Sequence, residues 1–183
     1  MSIPPGPAQG AEAADFPDYL SVGSDIARNE GHHLREWLDI TCRRGCSASA
    51  SMTAPPRNTR ELLEPCIRSG TVVCRLVPGS RMHLPAHADA VGRCRSRTRW
   101  LALTDLDELI VPLDADSLPE LLCGYEGCPA LGISWVMSDS SGHDEPREHD
   151  ALMAANYTTA RRGVHDPQSG DRHIKSIVNP REA

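Results

Sequence analysis

Aromatic side chains are scarce in this sequence: one Phe, three Tyr and three Trp make up 4% of its 183 residues. The apolar share is nevertheless 39%, which excludes a wholly disordered chain, and the length suits one domain with a real core. Basic residues are not in excess either. Because the net charge is -6 at pH 7, we expect no nonspecific binding to nucleic acid.

Two further features are absent: an apolar run at the N-terminus and a Cys-x-x-Cys pair. Without the first, the sequence predicts no secretion signal and no membrane span, and we expect a cytoplasmic protein. The seven cysteines are then expected to be free thiols in a reducing compartment. Cys42 with Cys46, or Cys123 with Cys128, is an alternative zinc pair, but neither spacing is typical of zinc ligands.

Strand and helix patterns alternate along the chain from Tyr19 onward. Residues 1–18 are rich in Pro, Gly and Ala and predict a disordered leader, whereas 19–183 are predicted to form the folded domain. Apolar runs predict strands over Tyr19–Ala27, Thr71–Val77, Trp100–Leu103 with a continuation over Leu109–Pro112, Ala130–Met137, Leu152–Ala160 and His173–Val178. Helical spacing predicts helices over His32–Cys42, Asn58–Ile67 with a kink at Pro65, Leu84–Val91 and Ser117–Leu122. This alternation indicates an α/β domain.

One segment does not fit the alternation. Arg43–Arg57 lies where an α/β domain places its second strand, yet it holds Arg, Gly, Ser, Ala, Thr and Pro with almost no apolar bulk. Residue preferences therefore predict an irregular loop over 43–57, with the second strand missing or replaced.

Three carboxylates, Asp105, Asp107 and Glu108, directly follow the apolar run that ends at Leu103 and Thr104. If the extended backbone continues, Asp105 and Asp107 project to one side while Leu106 points into the core. Carboxylates just beyond a strand suit a Mg²⁺ or Mn²⁺ ion that is shared with the phosphates of a nucleotide. The alternative is a turn without a ligand, because Asp-x-Asp is a short pattern that turns often produce.

Polar residues elsewhere also allow more than one interpretation. Asn29 and Glu30 follow the first predicted strand and are in position to cap the next helix. A cluster of four arginines precedes the carboxylates: Arg93, Arg95, Arg97 and Arg99. Such a cluster either binds phosphates or forms a solvated face, and the solvated face is the commoner of the two.

Four short motifs, in this order, resemble those of glycosyltransferase family 92 and of bacterial family-2-like glycosyltransferases. They are Asn29-Glu30 with Leu34-Arg35-Glu36-Trp37, then Trp100 through Glu108, then Trp135 with Ser140-Ser141-Gly142-His143, and finally Lys175-Ser176-Ile177-Val178 with Pro180. One such motif is weak evidence of a relationship. Four in register, across most of Tyr19 to Pro180, are fairly specific.

The resemblance implies a GT-A fold, which is a Rossmann-like sheet with flanking helices that binds a nucleotide-sugar. It implies a glycosyltransferase that transfers a sugar from this donor, expected to be a UDP-sugar, to a hydroxyl group of a glycan or lipid-linked acceptor. Peripheral attachment to a membrane would accompany a lipid-linked acceptor. A divalent cation, Mn²⁺ or Mg²⁺, is the implied cofactor, since it stabilises the charge that develops on the departing diphosphate.

The resemblance also assigns roles to residues of this sequence. Asn29 and Glu30 would bind the donor, together with Asp105 and Asp107, and the latter two would also hold the metal. The acceptor hydroxyl needs a base, and an Asp or Glu serves this role in an inverting enzyme. The candidates near the Ser-Ser-Gly-His motif are Asp139, Asp144 and Glu145.

Two departures from the family pattern point to an incomplete GT-A domain. Family members usually carry an apolar strand ending in an Asp-Asn-x-Ser-x-Asp type string where 43–57 stands, and they continue well beyond the Lys-Ser-Ile-Val string. We hypothesise that 43–57 is out of frame, because Met52–Pro56 can be back-translated so that a shifted frame encodes Asp-Gly-Ser-Thr. Sequencing of the coding DNA tests this, and an uninterrupted frame disposes of it. Two other functions stay open: a noncatalytic remnant of such a domain, and a metal-dependent phosphoesterase.

Overall fold

Four parallel strands and the helices that connect them form the larger part of a six-stranded sheet. The computed structural model describes residues 18–26, 31–43, 47–52, 57–69, 72–76, 83–136, 138–139, 159–160 and 173–183. In chain order the elements are β1 (Asp18–Ile26), α1 (Gly31–Arg43), β2 (Ser47–Met52), α2 (Arg57–Arg68), β3 (Val72–Leu76), α3 (His83–Cys94), β4 (Thr98–Asp105), α4 (Leu118–Cys123), β5 (Ala130–Ser134), β6 (Ser138–Asp139), β7 (Thr159–Ala160) and β8 (Ile174–Val178).

The strand order of the sheet is β3-β2-β1-β4-β8-β5, and β6 pairs with β7 in a separate two-stranded sheet. Strands β1 to β4 are parallel because a helix follows each of the first three and returns the chain to the same edge. β8 is antiparallel to both of its neighbours, β4 and β5. The α/β class predicted from the sequence is therefore confirmed.

Side chains of β4 alternate between two apolar layers, one on each face of the sheet. Trp100 and Ala102 belong to a cluster with residues of α1, α2 and α4, whereas Leu101 packs with Ala90 and Cys94 of α3. Trp100, Leu101 and Ala102 are all fully buried. The prediction that this strand is covered on both faces is thus confirmed, and the strand is the centre of the core.

Most of the predicted elements are present, with ends shifted by a few residues. β1, β3, β4, β5 and β8 occupy the predicted strand positions, and α1 to α4 the predicted helices, with Pro65 inside α2. At the start of α4, Ser117 Oγ accepts a hydrogen bond from the backbone N–H of Glu120, as the predicted capping box requires. The Glu120 carboxylate accepts the N–H of Asp116, one residue before the expected partner.

The prediction that the second strand is missing or replaced is wrong. Ser47–Met52 forms β2, which pairs over its whole length with β1 and over five residues with β3. Backbone hydrogen bonds to two neighbours hold this strand, so a sequence of small residues adopts a conformation that its side-chain preferences do not favour. The hypothesis of a shifted reading frame was based partly on the absence of a second strand, and the presence of β2 removes that reason.

Two other predicted segments differ or are only partly described. The continuation of β4 over Leu109–Pro112 is wrong, because the strand ends at Asp105 and a turn follows. Of the strand predicted over 152–160, the described part is β7, Thr159–Ala160. The predicted leader, 1–18, lies outside the described residues apart from Asp18, which begins β1. The domain limits stay a prediction.

Candidate functional site

Several polar groups meet at the edge of the sheet where β1, β4 and β5 end. β1 and β4 are parallel, and β5 has the same direction because both β4 and β5 are antiparallel to β8. β8 runs the other way and begins at this edge. The chain passes from β1 outward through β2 to β3 and then returns to place β4 on the other side of β1. Such a change of direction opens a crevice at the carboxyl ends of the strands, where α/β sheets bind ligands.

Asp105 lies at this edge of the sheet as the last residue of β4, in register with Asp25 of β1. The sequence indicated the position of Asp105 correctly, since the carboxylate directly follows a buried strand. Asp25 was not among the predicted site residues. Its signal was of the same kind, an acidic residue that interrupts an apolar strand near its carboxyl end.

The Lys175 ammonium lies between two carboxylates of this edge. Its Nζ is 2.7 Å from Asp105 Oδ2 and 2.8 Å from Glu108 Oε2. The contact forms because β8 begins beside the end of β4, with Ser176 opposite Leu103. In the sequence, Lys175 is part of the Lys-Ser-Ile-Val motif, and the resemblance assigns no role to it. Its pairing joins residues 70 positions apart in sequence, so local spacing carries no signal for it.

The turn after β4 is held by Glu108. Its Oε2 accepts the backbone N–H of Asp105 at 2.9 Å, and its own N–H donates to the Asp105 carbonyl at 3.2 Å. These bonds compete with extension of the strand. Leu106 is fully buried, as predicted, whereas Asp107 is exposed on the turn. The two aspartates are therefore not on one continuous strand, and their joint role in metal binding stays a prediction.

The electrostatic environment of Lys175 raises its pKa above the ordinary value of 10.5. Burial alone lowers this pKa, but the hydrogen bonds to Asp105 and Glu108, and the charges of these two carboxylates, outweigh it. Lys175 is therefore the charged partner of the two carboxylates at neutral pH. Its side chain is 25% exposed, compared with 44% for Asp105 and 15% for Glu108.

We expect Lys175 to stabilise the fold at neutral pH and to lose this effect at strongly alkaline pH. A group whose pKa is higher in the folded state stabilises the fold below its unfolded pKa, and this contribution is lost as the pH rises through the folded pKa. Lys175→Met should therefore be less stable than the wild type at neutral pH, and the difference should shrink above pH 10.5. Urea unfolding of both proteins across that range measures the difference. A gap that stays constant with pH contradicts the prediction.

An aromatic pair lies at the same edge of the sheet. Trp135 follows β5 and His173 precedes β8, and their rings are 5.8 Å apart at 89°. The backbone N–H of Trp135 donates to the His173 carbonyl at 3.2 Å. Of the predicted bases, Asp139 lies in β6, in register with Thr159. The other predicted residues, Asn29, Glu30, Asp144 and Glu145, lie outside the described residues. Their roles stay predictions.

Three of the four clustered arginines are bound to protein groups. Arg99 is 5% exposed, and its guanidinium pairs with Glu126 Oε2 at 2.6 Å and also donates to the Glu126 carbonyl. Arg93 pairs with Asp89 at 2.9 Å on α3. Arg95 donates to the carbonyls of Pro180 and Ala183. These contacts give the three side chains structural roles, which neither of the two interpretations offered above included.

The part of the chain that the structure describes lacks two features, a cluster of metal-ligating side chains and a membrane-spanning helix. Within it, no group of three or more His, Cys, Asp or Glu side chains is placed to hold a metal ion. None of the helices in the described ranges has both the length and the apolar character needed to cross a bilayer.

Comparisons with known proteins do not identify a family. No family model matches the chain, and no curated protein matches it. Among solved structures 33 chains match. One is the apo form of the glycosyltransferase GlyE of Streptococcus pneumoniae TIGR4, with a TM-score of 0.42 and 12% sequence identity. The match covers 91% of this chain but only 35% of that protein. The family 92 assignment and the GT-A fold therefore stay proposals.

Proposed function

We propose that the chain is a glycosyltransferase domain of the GT-A, family 92 type, which binds a nucleotide-sugar donor at the carboxyl ends of β1 and β4. The observation that supports this proposal is the position of Asp105. It ends β4, whose first five residues are all buried, and lies at the change of direction between β1 and β4, in register with Asp25. This is the place where an α/β sheet of this kind receives a nucleotide.

The carboxylates at this edge have the chemistry that a Mg²⁺ or Mn²⁺ ion requires. Hard divalent cations prefer carboxylate oxygens, and Mg²⁺ often takes only one or two from the protein, with the rest from water and phosphates. Asp105 is 44% exposed and Asp107 is exposed, so both are accessible to such an ion. When bound, the cation would supply Lewis-acid stabilisation of the departing nucleoside diphosphate.

The residues of the chain would position the reactants around that ion. Glu108 holds the backbone at the end of β4, which fixes where the Asp105 carboxylate can reach. As the new glycosidic bond forms and the bond between the sugar and the diphosphate breaks, the acceptor hydroxyl loses its proton to a base, which would be a carboxylate in an inverting enzyme. Asp139, Asp144 and Glu145 are the proposed candidates for this base. The acceptor is a glycan or a lipid-linked hydroxyl, and the donor is a UDP-sugar.

Metal-dependent binding of UDP is the test of this proposal. Isothermal titration of UDP into the purified chain should show binding with Mn²⁺ and little without it, since Asp105 and Asp107 would hold the ion and the ion would supply charge stabilisation to the diphosphate. Asp107→Asn should weaken the binding with Mn²⁺ by about tenfold or more. Asp114→Asn is the matched control, because Asp114 is an exposed aspartate on the same connection to α4, and its loss should leave the affinity unchanged.

Two results of this titration, and one result of a separate phosphatase assay, lead to different conclusions. Binding that needs Mn²⁺ and Asp107 supports a working donor site. No binding by a chain that is folded by circular dichroism contradicts the proposal and favours the noncatalytic remnant. That alternative rested partly on a missing second strand, which β2 supplies. Release of inorganic phosphate from a model ester, without UDP binding, favours the phosphoesterase instead.

A further inference from the structure

The proposed cation position is next to a positive charge that belongs to the protein. The Lys175 ammonium contacts Asp105 Oδ2 and Glu108 Oε2 at ion-pair distance, and its side chain is three-quarters shielded from solvent. A divalent cation that binds Asp105 at this oxygen must therefore replace the ammonium there. Repulsion between two cations at one carboxylate makes joint occupancy unfavourable.

We propose that Lys175 is a displaceable counter-ion, which lowers the affinity of Asp105 for a divalent cation until a nucleotide diphosphate is also present. This inference rests on the proposed function, since it assigns Asp105 to the cation. It goes further because it gives Lys175 a role in the order and coupling of ligand binding.

The contacts of Glu108 explain how the lysine can move without leaving the site. Glu108 Oε2 accepts both the Lys175 ammonium and the backbone N–H of Asp105, and its side chain is 15% exposed. When a cation takes Asp105, Glu108 still holds the ammonium at the edge of the sheet. The displaced ammonium then lacks one anionic partner, which a diphosphate can replace.

Thermodynamic linkage follows from this arrangement. Cation binding alone costs the Asp105–Lys175 contact, and diphosphate binding alone competes with two carboxylates for the ammonium. When both bind, the cation pairs with Asp105 and the ammonium pairs with the diphosphate, so each ligand raises the affinity for the other. Because the Asp105 side chain is 44% exposed, its contact with the ammonium contributes less to fold stability than the contact with Glu108, which is 15% exposed and is kept when the cation takes Asp105.

Titration of Mn²⁺ alone, followed by the electron paramagnetic resonance signal of the free ion, tests the first half of the inference. Lys175→Met should bind Mn²⁺ roughly tenfold more tightly than the wild type, because two carboxylates lose their competing cation. Lys175→Arg keeps the positive charge and should resemble the wild type. Arg68→Met makes the same change in net charge at an exposed ion pair on α2 and should also leave Mn²⁺ affinity unchanged.

UDP titrations with and without Mn²⁺ test the second half. The ratio of the two UDP affinities should be smaller in Lys175→Met than in the wild type, because the substitution removes the coupling. If circular dichroism shows that Lys175→Met is unfolded, Lys175→Gln replaces it in both titrations with the same expectations.

The outcomes separate this inference from the proposed function. Tighter Mn²⁺ binding by Lys175→Met, in a chain that never binds UDP, supports competition between the ammonium and the cation at Asp105, but it overturns the coupling to a diphosphate and contradicts the nucleotide-sugar donor. Normal UDP binding with Mn²⁺, but unchanged or weaker Mn²⁺ affinity in Lys175→Met, supports the donor site and overturns the inference. Failure of both the wild type and Lys175→Met to bind Mn²⁺ also overturns it.

Discussion

Substitution of Glu126 by Ala is expected to lower the free energy of unfolding by about 3 kcal/mol, because it leaves the buried Arg99 guanidinium without its charged partner. The Arg99 side chain is 6% exposed and that of Glu126 is 25% exposed. The cationic group thus bears most of the desolvation in this pair. The guanidinium also lies 4.9 Å from the centre of the Trp100 ring, which does not neutralise its charge.

The opposite substitution is expected to be milder. Arg99→Met removes the buried charge itself and leaves a glutamate that water still reaches, so its effect should be smaller than that of Glu126→Ala. The double variant Arg99→Met/Glu126→Ala should be more stable than Glu126→Ala alone. This order of stabilities distinguishes a desolvated charge from an ordinary loss of contacts.

Urea unfolding followed by far-ultraviolet circular dichroism gives these free energies. Glu64→Ala is the matched control, since Glu64 pairs with Arg68 at 3.8 Å on an exposed helix face and should contribute less than about 0.5 kcal/mol. If Glu126→Ala destabilises no more than Glu64→Ala, the Arg99–Glu126 pair is not the buried ion pair described above.

Substitution of Leu106 by Ala is expected to cost about 3 kcal/mol, because its side chain is fully buried in the core cluster beneath the turn after β4. Leu106 and Asp107 form the turn between Asp105 and Glu108. The cavity left by Ala removes the apolar anchor of this turn, so we also expect weaker positioning of Asp105 and lower Mn²⁺ affinity. Because Leu106→Ala alters no carboxylate, a loss of Mn²⁺ affinity in this variant reports the effect of packing and not of charge.

Leu113→Ala is the control for this substitution. Leu113 lies on the same connection but is 89% exposed, so its truncation should change the unfolding free energy by less than about 0.5 kcal/mol. Thermal and urea unfolding of both variants measure the difference. Equal losses in Leu106→Ala and Leu113→Ala would contradict the burial of Leu106.

Patterns with a local cause were predictable from the sequence. β4 could be predicted because its apolar run is long enough to be a strand covered on both faces, and α1 because its apolar residues recur at helical spacing. The position of Asp105 followed from the same run, because a charged carboxylate is not expected inside a buried strand and therefore marks its end. These features depend on a few neighbouring residues and on no distant partner.

Features that depend on distant partners were not predictable. β2 consists of small residues, and its strand conformation comes from pairing with β1 and β3. Lys175 reaches Asp105 only because β8 lies between β4 and β5. In each case tertiary pairing, rather than residue preference, decides the outcome.

The position of β8 has a consequence for the order in which the molecule assembles. Of the described strands it is the last to be synthesised, yet it lies in the interior of the sheet and joins β5 to β4. During translation β5 has no neighbour among the described strands, and Asp105 at the end of β4 has no contact with the Lys175 ammonium, until residues 174–178 leave the ribosome. One late event therefore closes the sheet and sets the charge of the candidate site, so a nascent chain cannot form the site before its sheet is complete.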